Sequence, residues 1–329
     1  MNQTQGNAAT SAKGKRRIQT SLLGSSFGLV ALVIVAAMAT KGKFLDTVNL
    51  VNLMRQVTIL GFASLGMTLV ILTGNIDLSI IGNVSMTSVL TAVLMQKELP
   101  LVLILLIVCA AGATIGLFNS LILNFWKIES FVVTMGMQVV CFGLALWISD
   151  SRTVIVDYNL LVSKYMLLKN LATEKLAGIP IMFLILLAFY LVFTFFMHKT
   201  RLGRYIYALG GNEEVCYMSG VNVSFVRSSA YVLSGLCAAV AGIFMYSRSL
   251  CGDPAAGNAL GMYVVAAVVV GGTKMSGGRG NVLFTIIGIF IIQIINNTLN
   301  LLHAPYEIQQ VIQGLIILGA VIMSSKKRR

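Results

Sequence analysis

Few side chains in this sequence could carry out chemistry, and those that could stand apart from one another. Ser276-Gly-Gly-Arg-Gly280 has the residue types of a loop that contacts nucleotide, and Gly24-Ser-Ser-Phe-Gly28 matches the Gly-x-Ser-x-Gly pattern of a serine nucleophile. The first lacks an accompanying phosphate-binding loop, and the second opens a hydrophobic helix instead of following a strand. The two histidines, His198 and His303, each lie at the end of an apolar run. The sequence therefore predicts neither an ATPase nor a protease.

Ionisable residues inside apolar runs are the next candidates, because a charge within a membrane is costly and is usually kept there for function. Arg55 and Asp77 are the main ones, and on one continuous helix they would lie about 33 Å apart, too far to pair. Arg55 could instead extend to the membrane interface, and Asp77 could cap the helix that follows it. No convincing buried carboxylate of the kind that binds a coupling ion is apparent, so a coupling energy must come from elsewhere.

Neutral amides and hydroxyls form a larger set within the apolar runs. Buried amides either pair with one another or line a water-filled path. Asn296 and Asn300 are four residues apart and share a helix face with Gln293, which favours a polar path for a neutral, hydroxyl-rich solute. We expect that path to be lined by seven side chains: Asn52, Gln56, Thr134, Gln138, Gln293, Asn296 and Asn300.

Membrane helices must position these side chains. Of the 329 residues, 57% are hydrophobic and 11% are charged, whereas a soluble domain carries about a quarter charged residues. A spanning helix takes about 20 apolar residues. Such runs recur at about 22–40, 48–73, 78–96, 100–125, 130–149, 179–197, 224–247, 259–273, 281–302 and 307–324. The sequence therefore predicts an all-α, polytopic membrane protein with about ten transmembrane helices in a single domain at 22–324.

The net charge of +13 does not indicate nucleic acid, because Lys and Arg cluster at the helix ends and at both termini. We expect a cytoplasmic N-terminal tail at 1–21 and a basic cytoplasmic tail at 325–329. Ten spans then leave two longer outer loops, at 150–178 and 248–258. The five cysteines have no metal-binding or disulfide spacing and are expected to pack between helices.

A polar island at 204–220 interrupts the apolar runs and is charged at Arg204, Glu213 and Glu214. On the expected topology it lies in the cytoplasm, where it could grip a partner or form an ordinary amphipathic loop.

Five short motifs occur in order between about residues 44 and 324, and together they are similar to ribose-type ABC importer permeases. The motifs are Asn75-Ile-Asp-Leu-Ser79, Ser130-Phe-Val-Val-Thr-Met-Gly136, Ala208-Leu-Gly-Gly-Asn-Glu-Glu214 with Ser219-Gly-Val-Asn222, Val270-Gly-Gly-Thr273 with Ser276-Gly-Gly-Arg-Gly280, and Asn296-Asn-Thr-Leu-Asn300 with Gln309-Gln310. The resemblance implies the permease fold, a bacterial inner-membrane location and a second permease copy or paralogue. It also implies an extracytoplasmic sugar-binding protein and a cytoplasmic ABC ATPase that binds ATP and Mg, so this chain itself would be non-catalytic and need no cofactor.

The same resemblance gives the polar island a role. Glu214-Val-Cys-x-x-x-Gly220 resembles the permease coupling motif, a short cytoplasmic helix that sits in a groove of the ATPase. A coupling helix is therefore expected at about 204–222. The residues expected to contact the ATPase are Gly211, Asn212, Glu213, Glu214 and Gly220.

Charges in the outer loops are expected to orient a docking binding protein, although they could also be merely solvated. They are Arg152, Asp157, Lys164, Arg248 and Asp253.

The chain departs from the resembled pattern at Gly74-Asn75 and Ile81, and more tellingly at Gly261 and Tyr263, where many sugar permeases carry an acidic pair. The cargo therefore stays open among a pentose, a hexose and a related furanosyl solute. Nucleosides or branched-chain amino acids carried by the same fold are the alternative, and a secondary carrier is a further one.

Overall fold

The computed structural model describes residues 27–97, 99–156 and 162–325, and helices account for most of them. We number these helices α1 to α13 in chain order. Their bounds are Phe27–Ala39, Thr47–Leu72, Ser79–Met95, Leu101–Trp126, Ser130–Ile148, Val162–Thr173, Ile181–Lys199, Arg201–Gly211, Glu213–Met218, Val223–Ser249, Tyr263–Val270, Val282–Leu301 and Tyr306–Ser325. The all-α fold class predicted from the sequence is confirmed.

Six of the described helices are long and apolar enough to cross a membrane, namely α2, α4, α5, α7, α10 and α12. Each of the ten predicted apolar runs contains a helix, but α1, α3 and α11 are shorter than a full span. The predicted count of ten spans is therefore approximate. The run at 259–273 departs most, because α11 has 8 residues and follows a short 3-10 helix at Ala256–Ala259. Gly261, at φ +41°, lies between these two helices.

Side-chain caps and prolines determine where several helices begin. Asp46, Thr200 and Asn281 each accept a hydrogen bond from a backbone N–H of the first turn that follows, before α2, α8 and α12 respectively. Pro100 and Pro180 immediately precede α4 and α7, where a missing N–H costs nothing because the first turn has no partner for it. Local sequence thus sets these boundaries independently of the packing.

Three two-residue strands lie in the predicted outer loops, and a fourth, at Ile179–Pro180, begins the predicted run at 179–197. β1 (Val154–Ile155) pairs antiparallel with β4 (Cys251–Gly252), and β2 (Lys175–Leu176) pairs antiparallel with β3 (Ile179–Pro180). The Gln96 side chain, just after α3, donates to the Ile155 carbonyl at 3.2 Å. We call this end of the bundle the strand end.

The opposite end, which we call the α9 end, gathers α8, α9 and the loops after α2 and α11. The Gly278 N–H donates to the Leu72 carbonyl at 3.0 Å, and the Tyr207 hydroxyl donates to the Gly280 carbonyl at 3.2 Å. Gly210 abuts the Leu72 carbonyl so closely that a Cβ would not fit there. The glycine turn at 276–280 therefore packs against α8.

The interior is built around α2 and α10, which are the most buried of the six long helices. α10 packs backbone to backbone against α4, since a Cβ at Gly235 would strike the Gly112 carbonyl and one at Gly116 would strike the Tyr231 carbonyl. A Cβ at Gly242 would strike the Thr87 hydroxyl and the Val84 carbonyl of α3. Small residues thus join α3, α4 and α10 into one closely packed unit.

Candidate functional site

A cavity of about 620 Å³ lies toward the strand end, between α2, α10, α12, α13 and the segment before α11. Eight of its lining side chains are amides: Gln56, Asn258, Gln293, Asn296, Asn300, Gln309, Gln310 and Gln313. Tyr263 and Tyr306 add hydroxyls, and Arg248 is the single charged residue among the described residues that line it. The wall therefore presents many groups that both donate and accept hydrogen bonds.

Helix α12 carries amides with two different uses. Gln293, Asn296 and Asn300 lie on the face toward the cavity. Asn297 points to α2 instead, where it exchanges two hydrogen bonds with Asn49 at 2.9 and 2.8 Å. The sequence left open whether such amides pair with one another or line a wet path. Both occur on this helix, on adjacent faces.

Tyr263 places its hydroxyl at the cavity wall, beside the side chain of Asn296. The residue is 9% exposed. A hydroxyl can both donate and accept, so this group is suited to bind a polar solute that enters the cavity. Gly261 also lines the cavity. The two positions where the resemblance leads us to expect acidic residues are thus both at the cavity wall.

Of the seven predicted path residues, the structure brings four together in this cavity, namely Gln56, Gln293, Asn296 and Asn300. Asn52 lies outside it and accepts a hydrogen bond from Arg55 at 3.3 Å. Gln309, Gln310 and Gln313 are further lining amides, closely spaced at the start of α13. This spacing is the sequence signal that could have found them. It indicates a cavity wall only once α12 is known to line the same cavity.

Thr134 and Gln138 lie on α5, away from the cavity. The Thr134 side chain is fully buried, and its hydroxyl donates to the Ser130 and Ile76 carbonyls at 2.8 and 3.2 Å. The Gln138 backbone oxygen packs against Gly82 of α3. Thr134 and the backbone at Gln138 thus contribute to contact between helices, and a lumen that Gln138 shares with Asn296 and Asn300 stays a prediction.

Asp77, one of the two ionisable candidates from the sequence, is a buried carboxylate. It lies in the loop between α2 and α3 and is 1% exposed. It accepts hydrogen bonds from the Ser79 N–H and hydroxyl, from Ser234 of α10 and from the Asn119 amide of α4. Burial raises the pKa of Asp77, and the hydrogen bonds from Ser79 and Ser234 partly oppose this rise. The carboxyl begins α3, as predicted, but it also ties three helices together.

The charged residues predicted to orient a binding protein differ in location and in hydrogen bonding. Arg248 lines the cavity, and Asp253 accepts a hydrogen bond from the Ala255 N–H at 2.9 Å. Arg152 is exposed near β1. Asp157 lies outside the described residues, as does the side chain of Lys164, although its backbone belongs to α6. A docking role for these residues stays a prediction.

Arg55 reaches α6 at the strand end, where its guanidinium donates to the Thr173 carbonyl at 3.1 Å. This geometry agrees with an arginine that extends toward the membrane interface.

The polar island folds as two short helices, α8 and α9, and its sequence sets both ends of α9. The Asn212 side chain accepts from the Val215 N–H at 3.0 Å. Gly220 has φ +75°, its N–H donates to the Tyr217 carbonyl, and the next N–H, of Val221, donates to the Cys216 carbonyl. This is the Schellman arrangement that glycine favours. The glycine-terminated short helix expected from the sequence is therefore present.

The outer surface of α9 is free within the described chain, since Cys216 is its single buried residue. Val215, Tyr217 and Met218 are 58%, 73% and 80% exposed. The two acidic residues differ from each other. Glu214 is exposed, whereas Glu213 accepts a hydrogen bond from Arg227 of α10 at 2.6 Å. Sequence reasoning assigned both to a partner protein and did not identify this internal ion pair.

Comparisons with known proteins identify the family of the chain. A family model described as "Branched-chain amino acid transport system / permease component" matches residues 49–321. The chain is 36% identical to the ribose import permease protein RbsC of Bacillus subtilis over 93% of both chains. It is 32% identical to RbsC of Escherichia coli K12, covering 96% of this chain and 98% of that one. It is also 30% identical to the D-allose transport system permease protein AlsC of E. coli K12, covering 91% and 90%.

No solved structure matches. The family match and the sequence identity over most of the chain show that this protein belongs to the family of transport-system permease components. Together with the membrane-length helices, they show that it is a multi-pass membrane protein.

Proposed function

We propose that this chain is the membrane permease subunit of an ABC importer that moves a sugar from an extracytoplasmic binding protein into the cytoplasm. The cavity lined by eight amides is the observation that carries the proposal. Each amide offers a donor and an acceptor, and a sugar hydroxyl needs both. The names of the relatives, which include ribose, D-allose and L-arabinose permeases, support the same solute class.

The family description raises branched-chain amino acids as the second candidate. An amino acid brings an ammonium and a carboxylate, and both need charged or strongly polar partners when they leave water. Arg248 could pair with the carboxylate, but no described lining residue is acidic and able to pair with the ammonium. The wall chemistry therefore favours a neutral polyhydroxylated solute.

The proposal assigns energy conversion to other chains. A separate ABC ATPase binds ATP and Mg and seats on the exposed surface of α9, with Glu214 and the apolar side chains beside it as the contact. A second permease copy or paralogue completes the pathway. With α9 in the cytoplasm, both termini are cytoplasmic, the strand end faces the binding protein, and the complex lies in the bacterial inner membrane.

Uptake of radiolabelled ribose into proteoliposomes that hold this chain with its cognate ATPase and binding protein tests the proposal. Asn296→Leu removes a cavity amide, whereas Asn297→Leu removes an amide that pairs with α2, so the two are a matched pair on one helix. We expect ATP-dependent uptake by the wild type and a loss of about fivefold per folded complex for Asn296→Leu. Asn297→Leu should lower the amount of folded protein and leave uptake per complex unchanged. Absence of ATP-dependent uptake of ribose, allose and arabinose alike would refute the sugar assignment.

A further inference from the structure

The ion pair between Glu213 and Arg227 is part of a longer chain of polar contacts. Arg227 also donates to the Asn124 side-chain oxygen at 2.9 Å. The Asn124 amide nitrogen in turn donates to the Ser228 hydroxyl at 3.1 Å. Three helices are therefore joined through one guanidinium, since Glu213 belongs to α9, Arg227 to α10 and Asn124 to α4.

This series of polar contacts is one of few attachments between α9 and the membrane helices in the described part of the protein. Cys216 is the one buried residue of α9, and the backbone joins α9 to α8 and, through the turn at Gly220, to α10. The Arg227 side chain is 13% exposed and that of Glu213 is 58% exposed. Because one partner is largely buried, removal of the other leaves a charge that water reaches poorly.

Helix α10 connects this contact to the cavity without interruption. It has 27 residues and contains no proline, and Arg227 lies in its second turn at the α9 end. Met245 and Arg248, near its other end, line the cavity. Arg227 and Arg248 are about 31 Å apart along the helix axis. A displacement of the α9 end of α10 is therefore carried to the cavity wall.

The packing determines what moves with α10. The glycine contacts with α4 and α3, and the Asp77 carboxyl shared by Ser234 and Asn119, hold these helices together. Asn124 adds a further link to α4 close to the α9 end.

We propose that Glu213, Arg227 and Asn124 form a strut that transmits the displacement of α9 to α10 and α4, so that Arg227 and Glu213 are positioning residues for coupling. The inference rests on the proposed function, because it takes α9 as the point where the ATPase acts. It differs from a docking role for Glu213, since the carboxylate holds α9 to its own chain. Glu214 is left to face the ATPase.

The test uses the complete complex in proteoliposomes and compares Glu213→Ala, Arg227→Ala and the exchanged pair Glu213→Arg with Arg227→Glu. Arg201→Ala is the control, because Arg201 is an exposed cation of the neighbouring helix α8 that takes no part in the strut. Three quantities are measured: ATPase retained on purification, stimulation of ATP hydrolysis by the sugar-loaded binding protein, and ribose imported per ATP hydrolysed.

Both single variants should retain the ATPase and lose at least about fivefold in ribose imported per ATP, which is the lower end of the usual range for coupling between sites. The exchanged pair should recover most of this loss, because the Asn124 amide can donate to a carboxylate at position 227 as readily as it accepts from a guanidinium. Arg201→Ala should match the wild type.

Loss of the ATPase from Glu213→Ala would show that Glu213 docks the partner and would overturn the strut. Wild-type coupling in both single variants, or failure of the exchanged pair to recover, would overturn it as well. A wild-type complex whose binding protein stimulates ATP hydrolysis without import of ribose would instead refute the sugar assignment. In that case the stimulation ratio still decides whether the strut exists.

Discussion

The contact between α4 and α10 and the wall formed by α12 and α13 use side chains in opposite ways. In the first, glycines at 112, 116 and 235 bring backbone against backbone, with no room for a side chain. In the second, amides extend from the helices into a cavity of about 620 Å³. The comparison indicates that one region holds its shape through close packing, which resists deformation. The other retains polar groups whose hydrogen bonds are available to a solute.

This contrast predicts that substitutions in the two regions impair different properties of the protein. Changes in the packed unit should lower the amount and the thermal stability of the folded protein. Changes at the cavity should lower transport by molecules that are still folded.

The largest effect is expected for Gly235→Val. A side chain there would strike the Gly112 carbonyl of α4, and the resulting strain should cost about 3 kcal/mol and separate α4 from α10. Gly143→Val in α5 is the matched control, because nothing lies within 4 Å of a Cβ added at that glycine. Thermal melting followed by size-exclusion chromatography in detergent measures both. Equal melting temperatures for the two variants would show that the close contact does not hold the unit together.

Asp77→Leu should have the next largest effect. It removes the acceptor of the Ser79 and Ser234 donors while they remain buried, at a cost of about 2–3 kcal/mol, whereas the Asn119 amide still has the Ser79 hydroxyl as an acceptor. Asp77→Asn keeps an acceptor and should be milder. The same melting assay ranks the two, and a leucine variant at least as stable as the asparagine variant would contradict a structural role for these hydrogen bonds.

Much of this architecture could be predicted from sequence, because the length of a hydrophobic run indicates where a helix can span a membrane. The same pattern could not show that the run at 259–273 contains a short helix after a break at Gly261, since the residues on both sides are apolar. It also could not separate Asn296 from Asn297, or identify Thr134 as a packing residue. Those assignments depend on which neighbouring helix each face meets.

The coupling segment shows the same limit. The resemblance to the coupling motif placed Gly220 after a short helix, and the structure shows a φ of +75° at this position, a conformation that favours glycine. The pairing of Glu213 with Arg227 depends on how the chain turns back between α9 and α10. The residue spacing within a single helix does not reveal this ion pair, because its two members belong to different helices.

The amide pair of Asn49 and Asn297 sharpens the comparison, because it places packing and cavity functions on adjacent faces of α12. Asn49→Leu and Asn297→Leu should each cost about 1–2 kcal/mol, since each removes both hydrogen bonds that the two amides exchange. The double leucine variant should be more stable than the sum of the single costs implies, as no orphaned amide remains. Strictly additive melting shifts would contradict the pairing.

The smallest effect on stability, and the most informative for the cavity, is expected for Tyr263→Phe. The hydroxyl that it removes lies at the cavity wall beside Asn296, so the free energy of unfolding should fall by only about 0.5 kcal/mol, the low end for one hydrogen bond. If this hydroxyl meets the solute during transport, the variant should need a higher concentration of sugar-loaded binding protein, or turn over more slowly, by about threefold to tenfold. Tyr190→Phe is the matched control, because the Tyr190 hydroxyl donates to the Gly61 carbonyl at 3.0 Å inside the packed helices. That variant should lose stability and keep its transport rate per folded complex. The opposite pattern, with Tyr263→Phe unstable and Tyr190→Phe slow, would place the solute path on the other side of α2 and would remove the basis for assigning the cavity.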